Sequence, residues 1–127
     1  MELLMVASIT LSPVLDDIVS RLARGLRAER IYLFGSQASG QARQDSDYDL
    51  LVVVPRSKLP RHRREALSYD LLWGLKIPVD VIVLTRAEFD RSAKVKTSLA
   101  ATAQSKGILL YDRPKIGLGP LLVGKSS

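Results

Sequence analysis

Apolar residues recur along the chain with two spacings, and their alternation predicts strands placed between helices. After the pair Ser12-Pro13, which suits a helix start, a stripe with the helical period of 3.6 residues predicts a first helix. Two short runs that are almost wholly apolar, 30–34 and 48–54, are typical of strands buried on both faces. The members of the helical stripe are Leu15, Ile18, Leu22 and Leu26.

The second half of the chain repeats the alternation. A helix is predicted to begin after Pro60 and to end near Gly74, and a third strand is predicted over 79–84. Thr85 can cap a helical segment over 86–94, and 97–106 either continues it or forms another helix. The segment 107–111 is a last extended piece. The residues of the 60s helix predicted to face a core are Ala66, Leu67, Leu71 and Leu72.

Strands that alternate with helices predict a layered α/β (α+β) fold. We expect a small sheet with three central strands and about four helices. The chain has 127 residues, which is the length of one domain. We predict that this domain occupies 1–111 and that the Gly- and Pro-rich segment 112–127 is a flexible C-terminal tail.

Composition and charge narrow the classes of function. The absence of cysteine excludes disulfides, thiolate metal sites and a cysteine nucleophile. The sequence contains no apolar run that could span a membrane and no basic leader, so we expect a cytoplasmic protein. The net charge of +6 favours polyanionic partners such as nucleotide phosphates or an acidic protein. The arginine clusters contain no aromatic residues among them, so we do not expect nucleic acid as a partner.

Three acidic residues stand in or beside apolar strands. Asp47 and Asp49 are two positions apart, so their side chains would share one face at the start of the second strand. Asp80 interrupts an otherwise apolar run in the third strand, with Ile82 and Leu84 on its own face. If these strands are neighbours, three carboxylates converge and form a site for a hard divalent cation, Mg²⁺ by default.

These acids can also be accommodated without a metal ion. Asp47 can simply end a turn, and Asp49 can pair with Arg43 or another base. A shared proton is a further way to neutralise two adjacent carboxylates. For Asp80 a role without a metal must also account for an acid in a buried strand.

The pair Gly35-Ser36 follows the first strand directly. Glycine allows a sharp turn and lets backbone N–H groups approach a ligand closely, and a following helix start would favour a phosphate. A turn with Ser36 as helix cap is the plainer alternative. Arg43 is the best placed cation to meet a triphosphate. A phosphate turn beside three acids indicates phosphoryl or nucleotidyl transfer, for which two metal ions lie about 3.5–4 Å apart.

These residues resemble a known signature. Gly35-Ser36, ten intervening residues and Asp47-Tyr48-Asp49 are similar to the motif of the DNA polymerase β-like nucleotidyltransferase superfamily. Asp80 resembles the third acid of that superfamily, on the following strand. The small size resembles its minimal nucleotidyltransferase (MNT) branch, whose members are often antitoxins paired with a HEPN-domain ribonuclease toxin.

The resemblance implies a mixed sheet flanked by helices and transfer of AMP from ATP to a hydroxyl, commonly a tyrosine of the toxin. It implies two Mg²⁺ ions, with Asp47 and Asp49 as ligands of both and Asp80 as ligand of the catalytic ion. Gly35 and Ser36 would hold the triphosphate, and the toxin would form a hetero-oligomer with this chain. Two alternatives remain: an antitoxin that acts by occlusion alone, and a nucleotidyltransferase for a small molecule such as an aminoglycoside.

Overall fold

The computed structural model describes residues 13–35 and 48–114, and these ranges contain four helices and four strands. None of these helices has the length and apolar character that crossing a bilayer requires. The helices are α1 (Pro13–Leu26), α2 (Arg61–Leu71), α3 (Arg86–Ala93) and α4 (Leu99–Lys106). The strands are β1 (Arg30–Phe34), β2 (Tyr48–Val54), β3 (Val79–Thr85) and β4 (Ile108–Asp112).

The four strands form one mixed sheet in the order β3-β2-β1-β4. β1 pairs antiparallel with β2 and with β4, whereas β2 pairs parallel with β3. The predicted fold class is therefore confirmed. The last extended piece is a fourth strand at the sheet edge, so the expected count of three strands was one too low. The predicted boundary at 111 stays a prediction, although β4 includes Asp112.

Helices cover both faces of the sheet because the strand residues alternate between two apolar clusters. α1 and α2 pack on one face, and α3 and α4 pack on the other. The predicted stripe of α1 is confirmed for its first three members, which are buried. The first cluster includes Leu15, Ile18, Leu22, Leu50, Val52, Val81 and Val83, and the second includes Tyr32, Leu51, Val53, Leu84, Phe89, Ala100 and Ala103.

The prediction for the buried side of α2 was wrong in part. Ala66 and Leu67 are exposed, and the buried residues of this helix are Arg64 and Ser68. The reason is that α2 runs beside the edge strand β3 and meets main-chain groups there. Polar side chains that bond such groups can be buried at low cost, so apolar periodicity does not identify this face.

Side chains of α2 hydrogen-bond the outer edge of β3 at Val81 and Val83. The Val81 N–H donates to the Tyr69 hydroxyl at 3.1 Å, and the Val83 N–H donates to Glu65 Oε2 at 3.1 Å. Arg64 donates to the Val83 carbonyl at 2.8 Å. We call this set of contacts the edge clamp. It fixes β3 against α2 with bonds that a strand at a sheet edge would otherwise make to water or to another chain.

Arg64 also joins the edge clamp to α3 through Glu88. Its guanidinium donates to both carboxylate oxygens of Glu88, at 2.8 and 3.0 Å, and its own side chain is 7% exposed. Glu88 accepts from the Thr85 N–H while the Thr85 hydroxyl accepts from the Glu88 N–H, which confirms Thr85 as the cap of α3. Hydrogen bonds from Arg64 are the main reason that the pKa of Glu88 falls to about 2.

We expect Glu88→Gln to lower the free energy of unfolding at pH 7 by about 2 kcal/mol, because it leaves the buried Arg64 charge without its partner. Glutamine keeps the capping bond to Thr85, so the expected loss of stability does not come from the helix cap. In the native chain the stabilisation is present above pH 4.5 and is lost as the pH falls toward the folded-state pKa of about 2. Urea denaturation from pH 7 to pH 2.5 measures both effects.

Asp17→Asn is the matched control, since the Asp17 and Arg21 side chains, paired at 3.0 Å, are 45% and 37% exposed. Its expected cost is below about 1 kcal/mol. Equal stability of Glu88→Gln and the native chain at pH 7 would contradict the role given to this ion pair.

Candidate active site

Two of the predicted acids lie side by side at one end of the sheet. β2 and β3 pair in the register that sets Asp49 opposite Asp80. Residues opposite each other in neighbouring parallel strands project from the same face, and such strands lie about 4.8 Å apart. Both carboxylates therefore stand on the face that α3 and α4 cover. Asp49 is half-buried and Asp80 is exposed.

Each acid occupies the second position of its strand, at the point where the buried sheet surface begins. Leu51 and Ile82 follow on the same face, two residues further along, and contribute to the apolar cluster beneath α3 and α4. The carboxylates are thus held by well-packed strands and can still reach solvent. Two adjacent carboxylates repel each other, and a bound cation is an effective way to remove that repulsion.

Gly35 lies against Asp49 because β1 ends beside it. Phe34, the last residue of β1, is the partner of Asp49 across the antiparallel pair. Gly35 has φ of +79°, a conformation in which a residue with a Cβ is strained. A Cβ built on Gly35 would also overlap Asp49 Oδ2. Glycine is therefore required here both by the turn and by the approach of the carboxylate.

The other predicted site residues, Ser36, Arg43 and Asp47, lie outside the described residues. Of the six, the structure brings Gly35, Asp49 and Asp80 to one end of the sheet. The roles predicted for all six remain predictions. The helix start expected after Gly35-Ser36 also falls outside the described ranges.

The chemistry of this pair fits a divalent metal. Carboxylate oxygens are the ligands that Mg²⁺ prefers, and the register of β2 with β3 holds two of them close together. Within 13–35 and 48–114 no group of three acidic, histidine or cysteine side chains forms a metal site. The third predicted ligand is Asp47, two residues before Asp49 in the sequence.

The pair Arg64–Glu88 was not predicted, although it helps to position the site. Together with the edge clamp it fixes β3, the strand that carries Asp80. A signal was present, since Thr85 followed three residues later by glutamate is the spacing of a capping box. Nothing in the sequence indicated that the same glutamate binds a buried arginine of α2.

Two solved structures are similar to this chain. A Sulfolobus solfataricus protein, solved at 1.40 Å and provisionally assigned as a nucleotidyltransferase, is 26% identical, with a TM-score of 0.58 and coverage of 80% of both chains. A chain of a toxin-antitoxin structure with AMP-PNP is 24% identical, with a TM-score of 0.58, over 77% of this chain and 73% of that one; at this identity it shows the fold alone. No curated protein matches the sequence.

The sequence itself supplies the assignment. Residues 15–110, from the first buried leucine of α1 into β4, match the nucleotidyltransferase domain family. The match includes Gly35, Asp49 and Asp80. The resemblance to DNA polymerase β-like nucleotidyltransferases is thereby confirmed, and the chain belongs to the nucleotidyltransferase domain family.

Proposed function

We propose that this nucleotidyltransferase transfers AMP from ATP to a tyrosine hydroxyl of a HEPN-domain toxin, and that it is the antitoxin of a toxin-antitoxin pair. The observation that carries the proposal is the register of Asp49 with Asp80 on one face, beside Gly35. The neighbour solved as a toxin-antitoxin with AMP-PNP, an analogue of ATP, supports the donor and the partner. The proposal includes the cytoplasm as the compartment and a hetero-oligomer with the toxin.

The proposed roles follow from the nucleotidyltransferase motif that these residues resemble, and for Gly35, Asp49 and Asp80 also from their place at one end of the sheet. The turn at Gly35 and the Ser36 that follows hold the triphosphate, and Arg43 meets its charge. Asp49 and Asp80, together with Asp47, hold two Mg²⁺ ions. Bound Mg²⁺ would neutralise phosphate oxygens and make the acceptor hydroxyl more acidic.

The group transfer is a single displacement at the α-phosphorus of ATP. The acceptor oxygen forms a new O–P bond, and the bond from the α-phosphorus to the oxygen that bridges to the β-phosphorus breaks. Pyrophosphate leaves with that electron pair. The hydroxyl proton passes to the Asp80 carboxylate, which is exposed to an incoming acceptor. The products are an AMP ester of the acceptor and pyrophosphate.

We expect Asp49→Asn and Asp80→Asn each to reduce AMP transfer to the partner by about 100-fold or more, because each removes a negative charge from the site. Incubation with ATP, Mg²⁺ and the co-purified partner, followed by intact-mass spectrometry, measures the AMP added. Asp112→Asn in β4, at the opposite end of the sheet, is the matched control and should leave the rate unchanged.

Two results would overturn this function. One is that the native chain adds no AMP to the partner. The other is that the double variant Asp49→Asn with Asp80→Asn retains full transfer. If the double variant transfers no AMP but still neutralises the partner, then inhibition of the toxin is due to occlusion. AMP transfer would in that case not be the way in which the antitoxin acts.

Gly35→Ala tests the close approach of the turn to Asp49. We expect it to reduce AMP transfer by about 10-fold or more, because the new methyl group displaces the Asp49 carboxylate. Its backbone strain should also cost about 1 kcal/mol of unfolding free energy. Rates are compared at a temperature where both chains are folded, as shown by circular dichroism.

Gly74→Ala is the control for strain alone. Gly74 has φ of +92°, and a Cβ there would meet nothing within 4 Å. We expect a similar loss of stability with an unchanged transfer rate. If both variants lose stability equally and both keep the native rate, the contact between Gly35 and Asp49 has no part in catalysis.

A further inference from the structure

A groove of about 450 Å³ opens on the face of the sheet that carries Asp80. Ile82 and Leu84 of β3 form its floor. Val95, in the turn between α3 and α4, and Leu99, the first residue of α4, line its side. Arg61 and Arg91 also line it. We call this groove the acceptor groove.

The groove begins next to the candidate active site. Ile82 is two residues beyond Asp80 on the same strand, which places it about 7 Å away on the same face. Leu84 continues this line by another two residues. A chain segment lying along the floor would therefore approach the Asp80 carboxylate directly.

Three apolar residues of the groove are accessible to solvent, although Leu84 in its floor is buried. Ile82 is only half-buried, Val95 is 56% exposed and Leu99 is 37% exposed. Apolar side chains gathered in one concave surface with a charged rim are typical of binding sites. Burying these side chains against a partner would remove them from water.

The charge of the rim is positive. Among the residues that the structure describes, Glu88 is the acidic one in the lining, and Arg64 already offsets its charge. Arg61 is partly offset by Glu65 at 2.9 Å but remains 55% exposed, and Arg91 is exposed on α3. Such a rim attracts acidic groups and repels a polycation. The net charge of +6 acts in the same direction over a longer range.

We propose that this groove binds the acceptor, and that the acceptor is a protein segment whose apolar residues are accompanied by acidic ones. The inference rests on the proposed function, for which it selects the substrate class. It argues against an aminoglycoside, because a sugar with several ammonium groups would be repelled by Arg61 and Arg91. The acceptor hydroxyl would lie at the end of the groove nearest to Asp80.

A second apolar pocket, of about 460 Å³, is the chief competitor. It is lined by Tyr69, Trp73, Leu75 and Ile77, and Trp73 is 84% exposed. It adjoins the face covered by α1 and α2, since Leu75 packs against that cluster. Asp80 projects from the opposite face, so an acceptor bound at Trp73 would have a less direct path to it. The experiment therefore includes a variant of this pocket.

The test uses three probes with the full-length chain: a fluorescent tyrosine peptide with leucine and glutamate flanks, the same peptide with lysine in place of glutamate, and kanamycin. Fluorescence anisotropy without nucleotide measures peptide binding, and mass spectrometry with ATP and Mg²⁺ measures AMP transfer to all three. We expect the native chain to bind the acidic peptide at least about 10-fold more tightly than the lysine peptide.

Two groove variants and two controls locate the binding site. Arg91→Glu should remove or reverse the preference between the peptides, and Val95→Asp should weaken binding of the acidic peptide by about 10-fold. Arg24→Glu, at the end of α1, matches the charge reversal outside the groove, and Trp73→Ser removes the exposed aromatic of the competing pocket. Both controls should bind as the native chain does, and all four should keep native nucleotide affinity.

The outcomes test binding in the acceptor groove separately from AMP transfer. Preference for the lysine peptide or for kanamycin as acceptor, or no binding of the acidic peptide, overturns the inference. So does a loss of binding in Trp73→Ser with none in Val95→Asp. If the acidic peptide binds through Arg91 and Val95 but the co-purified partner receives no AMP, the groove stands and the proposed function fails.

Discussion

The parallel pairing of β2 with β3 in a single register is the constraint on which the candidate site depends. It sets Asp49 beside Asp80, and it also sends Val81 and Val83 to one apolar cluster and Leu84 to the other. A slip of one residue would move Asp80 to the face of α1 and α2, which is covered by an apolar cluster. The same packing that stabilises the sheet therefore determines where the carboxylates of Asp49 and Asp80 lie.

The edge clamp connects this register to the rest of the fold. Strand β3 has a strand neighbour on one side only, and α2 supplies the bonds on the other side through three polar side chains. Arg64 extends these contacts to Glu88 and thus to the first turn of α3. Stability and site geometry consequently share one set of contacts, although the carboxylates of Asp49 and Asp80 are not part of it.

Much of the fold could be predicted because it follows from spacing. The helical stripe of α1 and the runs over 30–34 and 48–54 identified three elements correctly, and an acid inside an apolar strand singled out Asp80. The buried side of α2 could not be predicted, because there a charged residue, Arg64, replaces the apolar signal. The acceptor groove could not be predicted either, since β3, α2, α3, α4 and the turn at Val95 contribute to it separately.

The edge clamp has a consequence for how this chain can associate. An open sheet edge offers its main chain as a template, and another polypeptide can add a strand to it, which is a common origin of runaway assembly and of strand exchange. The Val81 N–H and both main-chain groups of Val83 are already satisfied from within the molecule. Strand addition at this edge would require α2 to separate from β3. Recognition of a partner beside Asp80 therefore depends on side chains, which can discriminate between partners where a backbone cannot.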